Sequence, residues 1–176
     1  MNRKNLRIAI IGSHGTGKTT LVEKLGDLFK IPVIEEMART VIMEKNKLPH
    51  DMDDSERFIF QQTIFDRQTV HEDILDSFIS DRSVLDALVY AHGTAHLLVL
   101  EKAVTLRLRN NPYDHIFFIP REFPLESDGV RKEDEEYQRF IESEFLHYLR
   151  KFNISYTPIT GTIDERVHRI FQSVGG

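Results

Sequence analysis

The chain has 176 residues, of which 40% are hydrophobic, 29% are charged and none is cysteine. This length predicts one domain over residues 1–176 and is too short for two domains of ordinary size. The lack of cysteine excludes disulfides and Cys-ligated metals, and the net charge of −5 argues against a broad nucleic-acid surface. The polar residues 1–5 precede an apolar run too short for a signal peptide or a membrane span, so we expect a cytoplasmic protein with no membrane partner.

Residues 12–19 read GSHGTGKT, which fits G-x-x-x-x-G-K-[ST] and directly follows the apolar run 6–11. This is the pattern of a phosphate-binding P-loop between a strand and a helix. Its glycines let backbone N–H groups turn onto phosphate oxygens, while Lys18 would face the β- and γ-phosphates and the Thr19 hydroxyl would bind Mg²⁺. The expected cofactors are therefore ATP and Mg²⁺. The predicted nucleotide-binding residues in this segment are Gly12, His14, Gly15, Thr16, Gly17, Lys18, Thr19 and Thr20.

The rest of the chain alternates between apolar runs and amphipathic patterns. Strands are predicted over 6–11, 33–35, 75–80, 115–119 and 155–159. Helices are predicted over 18–29, from 36 onward, and over 55–77, 84–90, 95–109, 137–152 and 163–173. In the helix 55–77, the stripe predicted to be buried consists of Phe58, Ile59, Gln62, Phe65, Thr69 and Ile74. The alternation predicts an α/β P-loop NTPase fold, a three-layer sandwich around a parallel sheet of about five strands.

Ligands of parallel sheets bind outside the carboxyl ends of the strands, so the residues that follow each strand are site candidates. Asp81 ends the predicted third strand, where P-loop enzymes keep an acid that orients Mg²⁺. The alternative for Asp81 is an N-cap of the helix that follows. Arg82 either contacts an anionic or hydroxyl-bearing acceptor or lies in solvent.

Two carboxylates, Glu35 and Glu36, follow the predicted second strand, and Arg39 comes three residues after Glu36. A kinase that acts on an alcohol benefits from a carboxylate that orients the hydroxyl and can deprotonate it. Either Glu36 or Glu35 fits that role. The alternative is a surface ion pair between Glu36 and Arg39, which would share one face of a helix.

The charged segment 121–134 has the composition of a lid over phosphates. An arginine brought over the transferring phosphoryl group stabilises its developing charge, and Arg131 is the first candidate and Arg121 the second. The alternative is a charged surface loop.

Together these residues resemble the nicotinamide riboside kinase domain of the bifunctional bacterial NAD-biosynthesis regulator and, more loosely, the deoxynucleoside kinases. The resemblance spans nearly the whole chain and rests on the P-loop, on EMAR at 36–39, on SDRS at 80–83 and on DGVR at 128–131. It implies that Glu36 is the base, Asp81 the Mg²⁺-associated acid and Arg131 the lid arginine. The P-loop departs from the family, which has a Glu-Ser-Ser-Gly run where this chain has Ser13 to Thr16.

By the same resemblance, Gln61 and its neighbour Gln62 are candidates to contact the base of the acceptor. The full set of predicted acceptor-binding residues is Glu35, Glu36, Arg39, Gln61, Gln62 and Arg82.

These features favour a phosphotransferase that uses ATP and Mg²⁺ and acts on the hydroxyl of a small-molecule acceptor, a nucleoside or related riboside. A kinase acting on a polynucleotide would need a basic track, which the net charge of −5 does not favour. A nucleotide-dependent switch with a protein partner is the alternative from another class, and nucleotide alone would order its lid. The sequence leaves open the acceptor, the purine preference and the oligomeric state, a homo-oligomer included.

Overall fold

A computed structural model describes residues 5–121 and 132–175, apart from the side chains of 132–134. Within these ranges five strands form one parallel sheet. They are β1 (Arg7–Ile11), β2 (Val33–Ile34), β3 (Phe78–Asp81), β4 (His115–Phe118) and β5 (Thr157–Pro158). The strand order is β2-β3-β1-β4-β5. The predicted α/β fold is thus confirmed.

Helices connect the strands. They are α1 (Lys18–Phe29), α2 (Met37–Lys45), α3 (Asp54–Asp73), α4 (Val84–Tyr90), α5 (Leu97–Asn110), α6 (Lys132–Lys151) and α7 (Ile163–Ser173). Helices α3, α4 and α7 each begin at a side-chain cap. The Asp53 side chain accepts a hydrogen bond from the Glu56 N–H, and the Glu56 carboxylate accepts one from the Asp53 N–H. This reciprocal capping box satisfies otherwise unpaired N–H groups at the start of α3.

Every residue of β1 from Ile8 to Ile11 is buried, which shows that the sheet is covered on both faces. Ile8 and Ile10 pack with α1 and α7 on one face. Ala9 and Ile11 pack with helices α2 to α6 on the other. Strands covered on both faces are continuously apolar rather than alternating, which is why β1 reads as an unbroken apolar run. The result is the predicted three-layer sandwich.

Three helix ends differ from their predicted positions by two residues or more. Helix α3 ends at Asp73 rather than at 77, because the turn before β3 begins there. Helix α5 begins at Leu97 rather than at 95. Helix α6 begins at Lys132 rather than at 137, so the last residues of the predicted lid are helical.

The predicted buried stripe of α3 is wrong in half of its members, because only Phe58, Phe65 and Thr69 are partly buried. Ile59 and Ile74 are 53% and 73% exposed, and Gln62 is also exposed. The residues of α3 that are buried are Phe60, Gln61, Ile64, Gln68 and Glu72. Three of these five are polar, because the inner face of α3 meets polar partners on neighbouring elements. A helix whose inner face is partly polar does not show its orientation in a hydrophobic pattern.

No helix within residues 5–121 and 132–175 is long and apolar enough to cross a membrane.

Candidate active site

The strand order gathers the predicted site residues at one edge of the sheet. Strand β3 lies between β2 and β1, with Ile34 beside Ser80 and Ile10 beside Asp81. Because all strands are parallel, their carboxyl ends point to the same edge. The segment after β2, the end of β3 and the P-loop after β1 therefore lie next to one another.

The P-loop depends on glycine at its first position. Gly12 has φ +142°, and a Cβ there would lie 2.4 Å from the carbonyl oxygen of Ile119. Gly17 is the N-cap of α1 and has φ +80°. Side chains rarely tolerate either conformation, so these positions fix the path of the loop. The loop leads directly into the N-terminus of α1, where anions bind favourably.

The Lys18 side chain is buried inside the loop. Its Nζ donates hydrogen bonds to the Ser13 carbonyl oxygen at 2.5 Å and to Thr16 Oγ1 at 3.2 Å. Burial, and secondly the positive charge of Arg82, lower the pKa of Lys18 to about 7. A phosphate placed in the loop would supply the negative charge that this ammonium needs.

Thr19 and Asp81 form a hydroxyl and carboxylate pair. Thr19 Oγ1 donates to Asp81 Oδ2 at 2.6 Å. Asp81 is 2% exposed, and its Oδ1 has no hydrogen-bond partner in the part of the chain that the structure describes. A hydroxyl beside a carboxylate with a spare oxygen suits Mg²⁺, which binds one or two protein oxygens together with phosphates. These residues fit a magnesium ion.

The alternative interpretation of Asp81 as a helix cap is wrong. The N-cap of α4 is Ser83, which forms a capping box with Asp86. The Asp86 carboxylate accepts hydrogen bonds from the Ser83 N–H and hydroxyl at 2.8 and 2.9 Å. The Asp81 side chain is therefore not used in starting the helix.

Arg82 is largely buried and multiply bonded, so the alternative of a solvated arginine is also wrong. Its side chain is 11% exposed, and its Nε donates to Glu36 Oε1 at 3.1 Å. One terminal nitrogen donates to the Gly12 carbonyl, the Asp86 carboxylate and the Tyr90 hydroxyl at 3.0, 3.1 and 3.2 Å. A planar guanidinium can hold several acceptors at fixed directions. Arg82 thus ties Glu36 to the P-loop and to α4.

A cavity of about 760 Å³ opens beside Arg82. Its walls come from α2, α3 and α4 and are largely apolar, with Phe60, Ile64 and Tyr90 among them. A concave apolar site with a few convergent polar groups is typical of small-molecule binding. Gln61 and Gln68 supply amide groups to this cavity.

A second groove, of about 820 Å³, runs past Thr19 and Asp81 between α1 and α2. Glu36 borders both the cavity and the groove, whereas Glu35 and Arg39 border the groove alone. The ion-pair partner of Glu36 is Arg82, at 3.0 Å, and Arg39 is exposed. The Glu36 carboxylate therefore lies between the Thr19 and Asp81 pair and the cavity.

The other predicted residues are dispersed around this centre. His14 lines the cavity, with its ring centroid 6.1 Å from that of Tyr137, and Thr20 is exposed in the first turn of α1. Gln62 is exposed and does not line the cavity.

Of the two candidate lid arginines, Arg121 lies 3.9 Å from the Glu135 carboxylate. Arg131 falls outside the described residues.

Two residues that support the P-loop escaped sequence analysis. Gln138 of α6 donates to the His14 carbonyl at 3.0 Å, and Arg166 of α7 donates to the Thr16 carbonyl at 2.7 Å. A signal for Arg166 exists in hindsight, because it interrupts the apolar stripe formed by Ile163, Val167 and Ile170. A charged residue on such a stripe needs a buried partner.

The sheet order, the P-loop and the Thr19 and Asp81 pair define a P-loop fold of the kinase type. The model of the AAA domain family matches residues 7–166, and the chain belongs to this family. A comparison with curated proteins gives no match.

Solved structures share the fold at low sequence identity. NadR protein in complex with NR is 22% identical, with a TM-score of 0.78, covering 97% of this chain and 50% of that chain. NadR protein in complex with NAD and AMP-PNP is 19% identical, with a TM-score of 0.74, covering 97% and 48%. This chain thus spans about half the length of those NadR chains.

Deoxyadenosine kinase from M. mycoides, with products dCMP and a flexible dCDP bound, is 14% identical, with a TM-score of 0.65. That match covers 96% of this chain and 98% of the kinase. At these identities the likeness establishes the fold, which confirms the predicted resemblance to riboside and deoxynucleoside kinases at the level of architecture.

Proposed function

We propose that this protein is a kinase that uses ATP and Mg²⁺ to transfer the γ-phosphate to a hydroxyl of a nucleoside or riboside. The observation that carries the proposal is the position of Glu36, between the Thr19 and Asp81 pair and a cavity of about 760 Å³. A hydroxyl held in the cavity near Glu36 would be oriented toward a phosphate on the P-loop. Such transfer needs chiefly positioning and charge stabilisation.

In this proposal, different residues bind the phosphates, the metal ion and the acceptor hydroxyl. The P-loop amides and Lys18 would hold the phosphates, and Thr19 and Asp81 would hold Mg²⁺. When bound, this ion neutralises charge on the phosphate oxygens. Glu36 would accept the hydrogen bond of the acceptor hydroxyl, and Arg82 keeps Glu36 in place. Arg131 and Arg121 remain the candidates for closing over the transferred group.

The size and lining of the cavity support a small acceptor. Its volume suits a nucleoside-sized molecule, and its walls are largely apolar, with Arg57 and Arg82 as single basic groups rather than a continuous basic track. A polynucleotide acceptor would require a positively charged track for its phosphates. The amides of Gln61 and Gln68 can form hydrogen bonds with the polar edge of a nucleobase or with a carboxamide group on a ring. The NR bound to NadR and the dCMP bound to the deoxyadenosine kinase are ligands of about this size.

The test is ADP release from ATP and Mg²⁺ with a panel of nucleosides, nicotinamide riboside, mononucleotides and single-stranded oligonucleotides. We expect one riboside or nucleoside to stimulate turnover. Lys18→Ala and Glu36→Gln should each lower turnover by about 100-fold or more, which is the usual scale for a catalytic base. The neighbouring Glu35→Gln serves as a matched control and should retain most activity.

Other outcomes have definite meanings. Stimulation by oligonucleotides alone would replace the riboside acceptor with a polymer. If nucleotide binds tightly and no acceptor stimulates turnover, the proposal is wrong and a nucleotide-dependent switch explains the site better. Loss of activity in Glu35→Gln but not in Glu36→Gln would move the hydroxyl-orienting role to Glu35.

A further inference from the structure

Gln68 belongs both to the acceptor cavity and to a buried polar network behind it. The residue is 1% exposed, yet it lines the cavity. Its Nε2 donates to Glu72 Oε1 at 2.9 Å and to Ser80 Oγ at 2.7 Å. An amide nitrogen carries two hydrogens, so these two bonds use both of them. The oxygen Oε1 is the only polar atom of this side chain left for a ligand.

The network fixes which way the Gln68 amide faces. Glu72 is 0% exposed, and its carboxylate is paired with Arg107 at 3.1 Å and with Arg7 at 3.6 Å. It also accepts a hydrogen bond from the Tyr113 hydroxyl. A carboxylate bound in this way can only accept, so the group of Gln68 that faces it must be the donor. Turning the amide over would set two oxygens against each other in a buried place, at a substantial free-energy cost.

Gln61 lines the same cavity without such a constraint. Within the part of the chain that the structure describes, its side chain has no hydrogen-bond partner, although it is only 7% exposed. It can therefore present either its oxygen or its nitrogen to a ligand. Gln61 can therefore adapt to a donor or an acceptor on the ligand, whereas Gln68 can only accept a hydrogen bond from it.

We propose that Gln68 is a specificity-determining residue of the cavity, which selects an acceptor that presents a hydrogen-bond donor to it. Glu72 is the positioning residue that holds the Gln68 amide in the accepting orientation. The inference rests on the proposed function, because it takes this cavity as the acceptor site. An acceptor with an amino or carboxamide group at this point is favoured over one with only a carbonyl, a carboxylate or a bare ring edge. A mismatched ligand leaves a buried oxygen unpaired or faces it with another oxygen.

The experiment measures the equilibrium binding of three matched pairs of compounds to the full chain by calorimetry. The pairs are adenosine with purine riboside, cytidine with 2-pyrimidinone riboside, and nicotinamide riboside with nicotinic acid riboside. In each pair only the first member carries the amino or carboxamide donor. We expect the first member to bind roughly tenfold more tightly, or better, in at least one pair, since one hydrogen bond in a buried site has about this effect.

Variants separate Gln68 from its surroundings. Gln68→Met removes the fixed oxygen at similar volume and should bring the affinity ratio within the responding pair close to one. Gln61→Met should weaken both members of that pair alike. The same substitution at the exposed Gln172 of α7, Gln172→Met, should leave the ratio unchanged.

The role of Glu72 is tested by the same ratio. Glu72→Gln allows the Gln68 amide to turn over, so discrimination within the pair should fall even where both members still bind. Ser80→Ala removes the other acceptor of the Gln68 amide but keeps the Glu72 carboxylate that fixes its orientation, so it should leave the ratio unchanged. A purely structural role for Glu72 would change stability and leave the ratio unchanged.

The outcomes distinguish this inference from the proposed function. If both members of every pair bind equally and are phosphorylated, the inference is overturned and the kinase proposal stands. If the donor-bearing member binds more tightly but is not phosphorylated by ATP, the inference stands and the kinase proposal fails. If none of the six compounds binds, the inference is overturned together with the assignment of the cavity to ribosides.

Discussion

Single side chains of the P-loop set the electrostatics of the site. Lys18 is enclosed by the loop, and burial together with Arg82 lowers its pKa to about 7. An unfolded lysine titrates near 10.4, so between these two pH values the unfolded chain holds a proton that the folded chain lacks. The contribution of Lys18 to stability therefore rises with pH across this window in the nucleotide-free protein.

Nucleotide binding should raise the pKa of Lys18 again. Phosphate charges beside Lys18 raise its pKa, so at pH 8.5 we expect ATP binding without metal to take up about one proton. Affinity should correspondingly fall as the pH rises above about 7. Calorimetry in two buffers of different ionisation enthalpy, with a chelator present, measures the uptake. Lys18→Met should abolish it, whereas Lys24→Met, an exposed lysine of the same helix, should not. Equal proton uptake in all three proteins would contradict this account.

At the scale of elements, the P-loop is supported from helices distant in the chain. Helix α7 contributes Arg166, which reaches the Thr16 carbonyl at 2.7 Å, and α6 contributes Gln138. Backbone carbonyls of a turned loop need such donors, since the turn leaves them without partners of their own. The loop geometry thus depends on the docking of the last two helices.

Removing the α7 support should weaken nucleotide binding. Arg166→Met keeps the apolar stem and deletes the bond to the loop, and we expect roughly a tenfold loss of ATP affinity, in line with one charge-assisted hydrogen bond. Arg169→Met removes an exposed arginine from the same helix and should bind ATP normally. Fluorescence titration with a labelled nucleotide measures both. If the two variants lose affinity to the same extent, α7 does not act through Arg166.

The elements also show where sequence patterns succeed. The run 6–11 and the P-loop are local signals, and each appears in the structure near its predicted place. The orientation of α3 was not predictable in this way, because Gln68 and Glu72 lie on its inner face and Ile59 on its outer face. Buried polar residues satisfied by distant partners are invisible to a hydrophobic pattern.

At the scale of the whole molecule, each face of the sheet has its own apolar core. Helices α1 and α7 cover one face, and α2 to α6 cover the other. The cavity opens in the layer formed by α2 to α6. The layer formed by α1 and α7, the first layer, does not contain this cavity. Stability should therefore be sensitive to the first layer at positions far from the cavity.

A pair of leucines on α1 tests this division. Leu25 is 0% exposed in the first layer, whereas Leu28 is 45% exposed. Leu25→Ala should lower the free energy of unfolding by about 2–5 kcal/mol, from lost burial and the space left behind. Leu28→Ala should cost less than about 1 kcal/mol. Urea denaturation followed by circular dichroism measures both, and equal losses would mean that α1 packs differently from the structure described above.

The sequence by itself determined the α/β class, the P-loop and the candidate acids after the second and third strands, because these depend on local chemistry and on the rule that parallel strands end at one edge. Only the tertiary structure decided that Arg82 is buried against Glu36, that Asp81 pairs with Thr19, and that α3 turns Gln61 and Gln68 inward. Residues tens of positions apart make these contacts. Their partners are set by the packing of helices on the sheet, which no short stretch of sequence encodes.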